Sequence, residues 1–240
     1  MPIVPDQADI PRCYRGSIPT SWEPLILPID KGLGLTSFDV IRQLRRISTT
    51  RKIGHAGTLD PMATGLLICL CGRATKLMTH FMELRKVYEG TIRLGESTPS
   101  FDAETNVDKT RDASEIRDEQ IASMLSSFTG DIRQTTPVYS AVKVGGERLY
   151  KKARRGERVT LPTRDVSVYK FEITGRTGAD LQFEIECSRG TYIRSIAHEF
   201  GESLGVGGHL TELRRTAIGE IRVEDAWPLA DLISSYVDSV

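Results

Sequence analysis

The stretch that most limits what this chain can become is Lys52-Ile53-Gly54-His55-Ala56-Gly57-Thr58-Leu59-Asp60-Pro61-Met62-Ala63-Thr64-Gly65, with the apolar run Leu66 to Leu70 behind it. The apolar run reads as a buried strand. The residues before it carry little apolar surface to pack, so they have to be a loop held close to that strand. Glycines at 54, 57 and 65 permit positive φ and close approach of another backbone or a ligand. Pro61 pushes Asp60 toward an extended conformation. A single acid between a glycine-rich turn and a buried strand has the look of an active-site loop. An ordinary surface loop with a solvated acid fits the same composition.

The chain has 240 residues, 39% of them hydrophobic and 27% charged, which suits one catalytic domain with a sizeable core and a smaller inserted lobe. Its net charge is zero, which by itself argues against a nucleic-acid binder. The distribution argues the other way. Lys143, Arg148, Lys151, Lys152, Arg154, Arg155, Arg158 and Arg164 face only Glu147 and Glu157, whereas 96–119 is acidic. Such segregation makes a basic face that phosphates can meet. Tyr139 and Tyr150 bracket that basic segment, a mixture that suits phosphates and unstacked bases. A solvated charged face is the competing reading.

Cysteines 13, 69, 71 and 187 form no C-x-x-C pair and no zinc spacing, so they read as reduced, buried apolar residues. No metal is expected, since the histidines lie far apart in sequence. No cofactor is expected either, for want of a nucleotide-binding glycine motif. No transmembrane run and no signal-peptide core is present, so a cytoplasmic protein is expected.

Along the chain, 1–23 reads as a loose N-terminal extension and Pro24 to Ile29 as a strand. Thr36-Ser37 caps a helix in which Phe38, Ile41, Leu44 and Ile47 face inward while Arg42, Arg45 and Arg46 mark the wet face. Ala74 to Leu84 is predicted helical and Lys86 to Leu94 a strand. Asp112-Ala113-Ser114-Glu115 resembles a capping arrangement for a helix carrying Ile116, Ile121, Met124, Leu125 and Phe128, closed by Gly130. Ile132 to Val144 reads as extended, with a turn at Gly145-Gly146. Asp165 to Thr174 and Asp180 to Ser188 read as an antiparallel pair, with Leu181, Phe183, Ile185 and Cys187 on the buried face. A final helix should bury Ile193, Ile196, Ala197, Phe200 and Leu204, before a basic piece Leu213-Arg214-Arg215-Thr216.

The run from Gly54 to Leu67, followed by Gly72-Arg73-Ala74-Thr75-Lys76, resembles the signature of the TruB-type tRNA pseudouridine synthases. Asp30-Lys31 with Gly34-Leu35-Thr36-Ser37 is similar to the family's opening motif, with Gly32 where proline is usual. Lys86-Val87-Tyr88, Thr98 to Asp102, Gln134 to Lys143 (Thr136 replacing a proline), Ser188 to Arg194 and Leu213-Arg214-Arg215 continue the likeness. It spans about Leu25 to Gly219. His198-Glu199 departs from it, standing where the family commonly has two acids. Many bacterial members also carry a C-terminal PUA RNA-binding domain. Too few residues follow Gly219 for one, so either a short branch of the family or a truncated chain is expected, with a reduced RNA footprint.

The resemblance implies an α+β fold, a mixed, mainly antiparallel sheet flanked by helices with a central catalytic cleft and an inserted thumb. The implied division is an extension at 1–23, a catalytic domain at 24–225 with its thumb at about 136–164, and a short tail at 226–240. It implies isomerisation of uridine 55 in the T-loop of tRNA to pseudouridine. Asp60 is then the catalytic aspartate, Tyr88 stacks on the target base and takes a proton, and Arg194 keeps Asp60 ionised. His55 fills the space of the extruded nucleotide. Lys31, Lys86, Tyr192, Lys143, Arg154, Arg155 and Arg214 are the implied substrate and RNA contacts. The partner is the T-arm of tRNA, with no membrane and no obligatory protein partner. Two other classes stay open: a tRNA-folding chaperone with the chemistry secondary or lost, and a guide-RNA-dependent catalytic subunit.

Overall fold

The structure is a computed structural model that describes residues 10–140, 142–149, 152, 155, 157 and 159–237. In chain order it begins with strand β1 (Leu25–Lys31), helix α1 (Ser37–Ile47), β2 (Ile53–Ala56), β3 (Ala63–Cys71), α2 (Met78–Glu83) and β4 (Lys86–Leu94). There follow β5 (Glu96–Ser97), β6 (Lys109–Thr110), α3 (Asp118–Leu125), β7 (Gly130–Thr135), β8 (Lys143–Val144) and β9 (Glu147–Arg148). The rest is β10 (Thr163–Thr177), β11 (Asp180–Cys187), α4 (Ile193–Ser203), β12 (Gly208–Ile218), β13 (Ile221–Arg222), β14 (Trp227–Pro228) and α5 (Leu229–Val237). The fold is therefore α+β, with mostly antiparallel pairing. No described helix is long and apolar enough to cross a membrane. The chain divides into two compact units, one running up to Tyr88 and resuming at Leu213, the other Glu89–Glu212.

The first unit is built on β3. Its apolar run is continuous because β3 has neighbours on every side. β1 pairs with it antiparallel from Leu25↔Cys71 to Lys31↔Gly65. β12 runs parallel to it through Leu213↔Ala63, Arg214↔Thr64 and Arg215↔Gly65. β2 pairs antiparallel, Ile53↔Cys71 to Ala56↔Ile68. Leu66, Ile68 and Leu70 pack with Ile26, Leu77, Phe81 and Ile218 in one core cluster. Burial raises the thiols of Cys69 and Cys71, the latter to about 12. All four cysteines are buried and none forms a disulfide.

Helix α1 starts at a capping box in which Thr36 and Asp39 hydrogen-bond reciprocally. It buries Val40, Ile41 and Leu44, but Phe38 is 60% exposed. Phe38 lies one position into the first turn, so the inward stripe passes through Ser37 and Val40 instead. The N-terminal segment is not loose from Ile10 onward. Ile10, Cys13 and Trp22 are buried, and Cys13 N–H donates to Ile26 O at 2.9 Å. Its isolated apolar residues have no period because they cross a sheet edge rather than form an element. At the other end β14 pairs parallel with β1, and α5 buries Leu229 and Leu232.

In the second unit β10 and β11 form the expected hairpin, with β7 antiparallel on the far side of β10. Leu181, Phe183, Ile185 and Cys187 are all buried, as the alternation requires. Edge-to-face contacts join Phe171 to Phe183 and to Phe200, and Phe200 to Phe128. α3 begins later than the sequence suggested. Asp112 closes only a turn onto the N–H of Ser114 at 2.8 Å, and Gln120 caps the helix by accepting from the N–H of Arg117 at 2.9 Å. The segment after β7 bends at 138–140 instead of staying extended. β8 and β9 form a hairpin whose turn puts Gly145 and Gly146 at φ 62° and 84°, the all-positive geometry of a tight two-residue loop. α4 buries Ile193, Ile196, Ala197 and Phe200, while Leu204 sits at its half-exposed C-cap.

Candidate active site

The loop between β2 and β3 is held by two side chains from elsewhere in the first unit. Ser37 brackets Leu59: its Oγ donates to Leu59 O at 3.2 Å and accepts from Leu59 N–H at 2.9 Å. Leu59 itself is buried. Both backbone groups of the residue before Asp60 are therefore satisfied by one hydroxyl. Asp60 O accepts from Ala63 N–H at 3.1 Å, and Pro61 O accepts from Gly34 N–H at 2.9 Å. These bonds fix the backbone on both sides of a half-buried carboxylate.

The second side chain is Arg215, 1% exposed. Its Nε donates to Leu66 O at 2.7 Å and its guanidinium to Gly57 O at 3.0 Å, with longer contacts to Thr58 O and the Tyr88 hydroxyl at 3.5 and 3.4 Å. The guanidinium also lies 6.0 Å from the centroid of the Tyr88 ring. Arg215 therefore links the loop to Tyr88. The register that places it there leaves no room for a side chain at residue 65. Gly65 has φ +100°, and a Cβ on it would come within 2.3 Å of Arg215 O. The sequence singled out Arg214 of this pair and passed over Arg215. Alternation on a strand sends neighbours to opposite faces, and that is the only local hint.

His55, on β2, is held below the usual histidine range by burial and by the Arg215 cation, with a hydrogen bond to the backbone of Gly57 opposing them. Its Nδ1 is buried without a hydrogen-bond partner among the described residues. With Gly57, Thr58, Phe38, Met78 and Met82 it lines a hollow of about 390 Å³.

Three basic residues of this unit, Lys31, Lys86 and Arg214, are more tightly held than their sequence context suggests. Lys31 is fully buried, and its ammonium donates to Gly32 O and Leu35 O at 3.0 and 2.7 Å. Lys86 is buried too, with its ammonium against the carbonyls of Phe81, Met82 and Leu84 at the end of α2. Arg214 makes a bidentate pair with Asp30 at 3.0 and 2.7 Å. Lys31 thus ties the turn after β1 and Lys86 the end of α2, while Arg214 joins β12 to β1.

In the second unit Arg194, in the first turn of α4, is 4% exposed and sits 3.3 Å from a carboxylate oxygen of Asp102, which is wholly buried. That oxygen accepts no hydrogen bond among the described residues, so the contact is ionic. The guanidinium donates instead to Ser100 O and Tyr139 O at 3.1 and 3.0 Å. The other oxygen of Asp102 accepts from Ser100 Oγ at 2.5 Å and from Glu104 N–H at 3.0 Å. Asp102 was only one acid of a loop in the sequence, and nothing there marked it as buried. Asp60 belongs to the first unit and Arg194 to the second.

Tyr192 caps α4. Gln134, fully buried, receives its N–H at 2.9 Å and donates to its carbonyl at 3.0 Å, while the Arg164 guanidinium lies 4.8 Å over its ring. Arg155 is clasped by Glu147 at 2.8 and 2.6 Å and by Glu157 at 2.7 Å, which raises its pKa. Arg154 and Tyr150 lie outside the described residues, as does the side chain of Lys143. His198 stacks on Phe101 at 3.8 Å and 9°. Burial lowers the pKa of His198 and raises that of Glu199. No group of three or more His, Cys, Asp or Glu among the described residues is arranged to hold a metal.

The geometry is that of a rigid loop presenting one carboxylate, coupled through a buried guanidinium to a tyrosine ring. Comparison with known proteins agrees on what such a loop belongs to. Residues 45–193 match the family described as TruB family pseudouridylate synthase (N terminal domain), and 194–239 match tRNA pseudouridylate synthase B C-terminal domain. The tRNA pseudouridine synthase B of Corynebacterium efficiens is 48% identical over 211 residues, 86% of this chain and 71% of that protein. That of Thermobifida fusca is 46% identical over 219 residues, 88% of this chain and 75% of that protein. Among solved structures, a Cbf5-Nop10-Gar1 complex aligns with TM-score 0.68 and 29% identity over 90% of this chain. An H/ACA RNP bound to a substrate RNA containing 2′-deoxyuridine aligns with TM-score 0.67 and 27% identity over 90%. This chain spans only 56% and 55% of those two solved chains.

Proposed function

Because the chain belongs to the TruB family of pseudouridylate synthases, we propose that it isomerises uridine 55 in the T-loop of tRNA to pseudouridine. The observation that carries this reading is Asp60, half-buried on a loop whose backbone is pinned by Ser37 and whose carbonyls are held by Arg215 beside Tyr88.

In the reaction the N1–C1′ bond of the nucleoside breaks, a C5–C1′ bond forms, and the proton on C5 is lost as N1 regains one. The base has to leave its stack for this to happen. Tyr88 offers the face on which the extruded uracil stacks. The Asp60 carboxylate assists cleavage and rejoining, and its fixed backbone lowers the entropic part of the barrier. His55 stays neutral at physiological pH, so it fills the vacated space as a polar, uncharged group. Arg194 and Tyr192 act as substrate contacts, with Asp102 and Gln134 holding them in place. Lys31, Lys86 and Arg214 serve by holding the loops that meet the RNA. Arg154, Arg155 and Lys143 supply the thumb's phosphate contacts, Arg155 by exchanging a glutamate for a phosphate.

The greater identity to the bacterial synthases than to the H/ACA RNP proteins supports action on bare tRNA without a protein partner. The test is release of tritium from tRNA labelled at C5 of uridine. Wild type should release one equivalent per target uridine, and Asp60→Ala none, while both bind tRNA. Binding without release by wild type refutes the enzyme reading and leaves an RNA-folding role. Release only in the presence of a guide RNA refutes the bare-tRNA reading.

A further inference from the structure

The C-terminal half of α1 and the loop after it carry four arginines the proposed reaction does not use. Arg42, Arg45, Arg46 and Arg51 line one open cleft of about 490 Å³. Asp39 is the only acid on the helix. It pairs with Arg42 at 2.5 Å while it caps the helix. Arg45 donates to Ile53 O at 3.1 Å, yet its Nε is buried with no hydrogen-bond partner among the described residues. Arg46 and Arg51 are exposed and make no hydrogen bond or ion pair among the described residues.

A solvated helix face explains scattered arginines, and the helix dipole favours two of them in the last turn. Neither explains four guanidiniums converging on a single cleft, because like charges repel and a buried donor is left unmet. A polyanion removes both costs. Guanidinium forks match phosphate oxygens bidentately, which lysines do not. Arg45 also lines the hollow that holds His55, Gly57 and Thr58, and it lies 6.0 Å from the exposed ring of Phe38. Arg45 is thus common to the cleft and to the hollow beside the signature loop.

From this convergence we infer that the cleft of Arg42, Arg45, Arg46 and Arg51 is a backbone-phosphate site that grips tRNA beside the signature loop. The inference rests on the reading of the chain as a tRNA-acting enzyme. Arg46 and Arg51 reach the phosphates first, being free of protein partners among the described residues, and the Arg45 Nε completes the site from below.

The experiment measures tRNA affinity as a function of salt for wild type, Arg46→Gln, Arg51→Gln and, as a charge control, Arg222→Gln, whose arginine is exposed on β13. Each cleft variant should flatten the plot of log K against log salt by about 0.7–0.9 and weaken binding on the order of fivefold at about 0.15 M salt. Arg222→Gln should change neither. Equal effects from all three variants, reflecting net charge alone, overturn the site. So does a wild-type slope in Arg46→Gln and Arg51→Gln, or selective loss of binding to phosphatidylserine vesicles instead of tRNA. Tritium release by wild type keeps the two readings apart. If it persists while the slopes are unchanged, only the arginine site falls. If wild type neither binds nor isomerises tRNA, both fall.

Discussion

Replacing Arg215 by methionine tests the claim that one buried guanidinium holds the signature loop. The change keeps the side-chain length and removes every donor. Leu66 O, bonded at 2.7 Å in a buried position, and Gly57 O, bonded at 3.0 Å in a half-buried one, both lose their partner. A buried group left unmet costs about 1–3 kcal/mol. The contacts to Thr58 O and the Tyr88 hydroxyl, at 3.5 and 3.4 Å, are near the limit of a hydrogen bond and add little. Against this, methionine relieves the burial of a charge. The net expectation is a loss of about 2–4 kcal/mol in urea unfolding. Catalysis should fall further than stability implies, because a displacement of about 1 Å at the reacting groups costs on the order of 100-fold. Arg215→Lys keeps the charge but not the fork, so it should sit between wild type and methionine in both readouts. An independent signal comes from His55. The Arg215 cation helps to hold its pKa down, so the NMR titration of His55 should move upward in Arg215→Met. An unfolding free energy within about 0.5 kcal/mol of wild type, with unchanged kcat/KM and an unmoved His55 titration, refutes the reasoning.

Other consequences are equally direct. Gly65→Ala drives a Cβ to within 2.3 Å of the Arg215 carbonyl at φ +100°, whereas Gly34→Ala, at φ +79°, meets nothing within 4 Å. The first should destabilise by more than about 3 kcal/mol and the second by about 1–2 kcal/mol, read from thermal unfolding; equal losses would mean that conformation alone, not the strand contact, demands the glycine. Asp102→Ala strands the buried Arg194 charge and should cost about 3–5 kcal/mol. Asp102→Asn keeps the acceptor for Ser100 and should cost less; if both behave alike, the charge of Asp102 is not what matters. His55 and His198 both have folded pKa values below their unfolded value of 6.5. The unfolded chain then binds more protons below that pH, so stability falls as pH drops through about 6.5. His55→Gln/His198→Gln should show a shallower fall between about pH 7 and pH 5.5, and an unchanged slope would assign the acid sensitivity to other groups. Glu199, raised by burial, contributes with the opposite sign and is common to both proteins in that comparison.

What could be read from the chain alone was whatever is written in neighbouring residues. The apolar run of β3, the alternation of β11 and the cap of α1 each encode a local face, and each formed where its pattern lay. The signature loop was legible for the same reason, since its glycines, Pro61 and Asp60 are contiguous. Charge was not legible in that way. Lys31 and Lys86 read from the family likeness as RNA contacts, and nothing in the sequence signals that both ammonium groups rest buried on carbonyls of their own surroundings. Asp102 looked like one acid among several and is the fully buried ion-pair partner of Arg194. Arg215 carried no signal beyond a basic dipeptide. Its role arises because β12 lies parallel to β3 with Arg215 opposite Gly65, a pairing between residues 150 positions apart. A strand's period tells which residues share a face. Only the packed chain decides which distant carbonyl, carboxylate or phosphate a buried cation will meet, because that partner is supplied by the tertiary register and not by the residue's own neighbours.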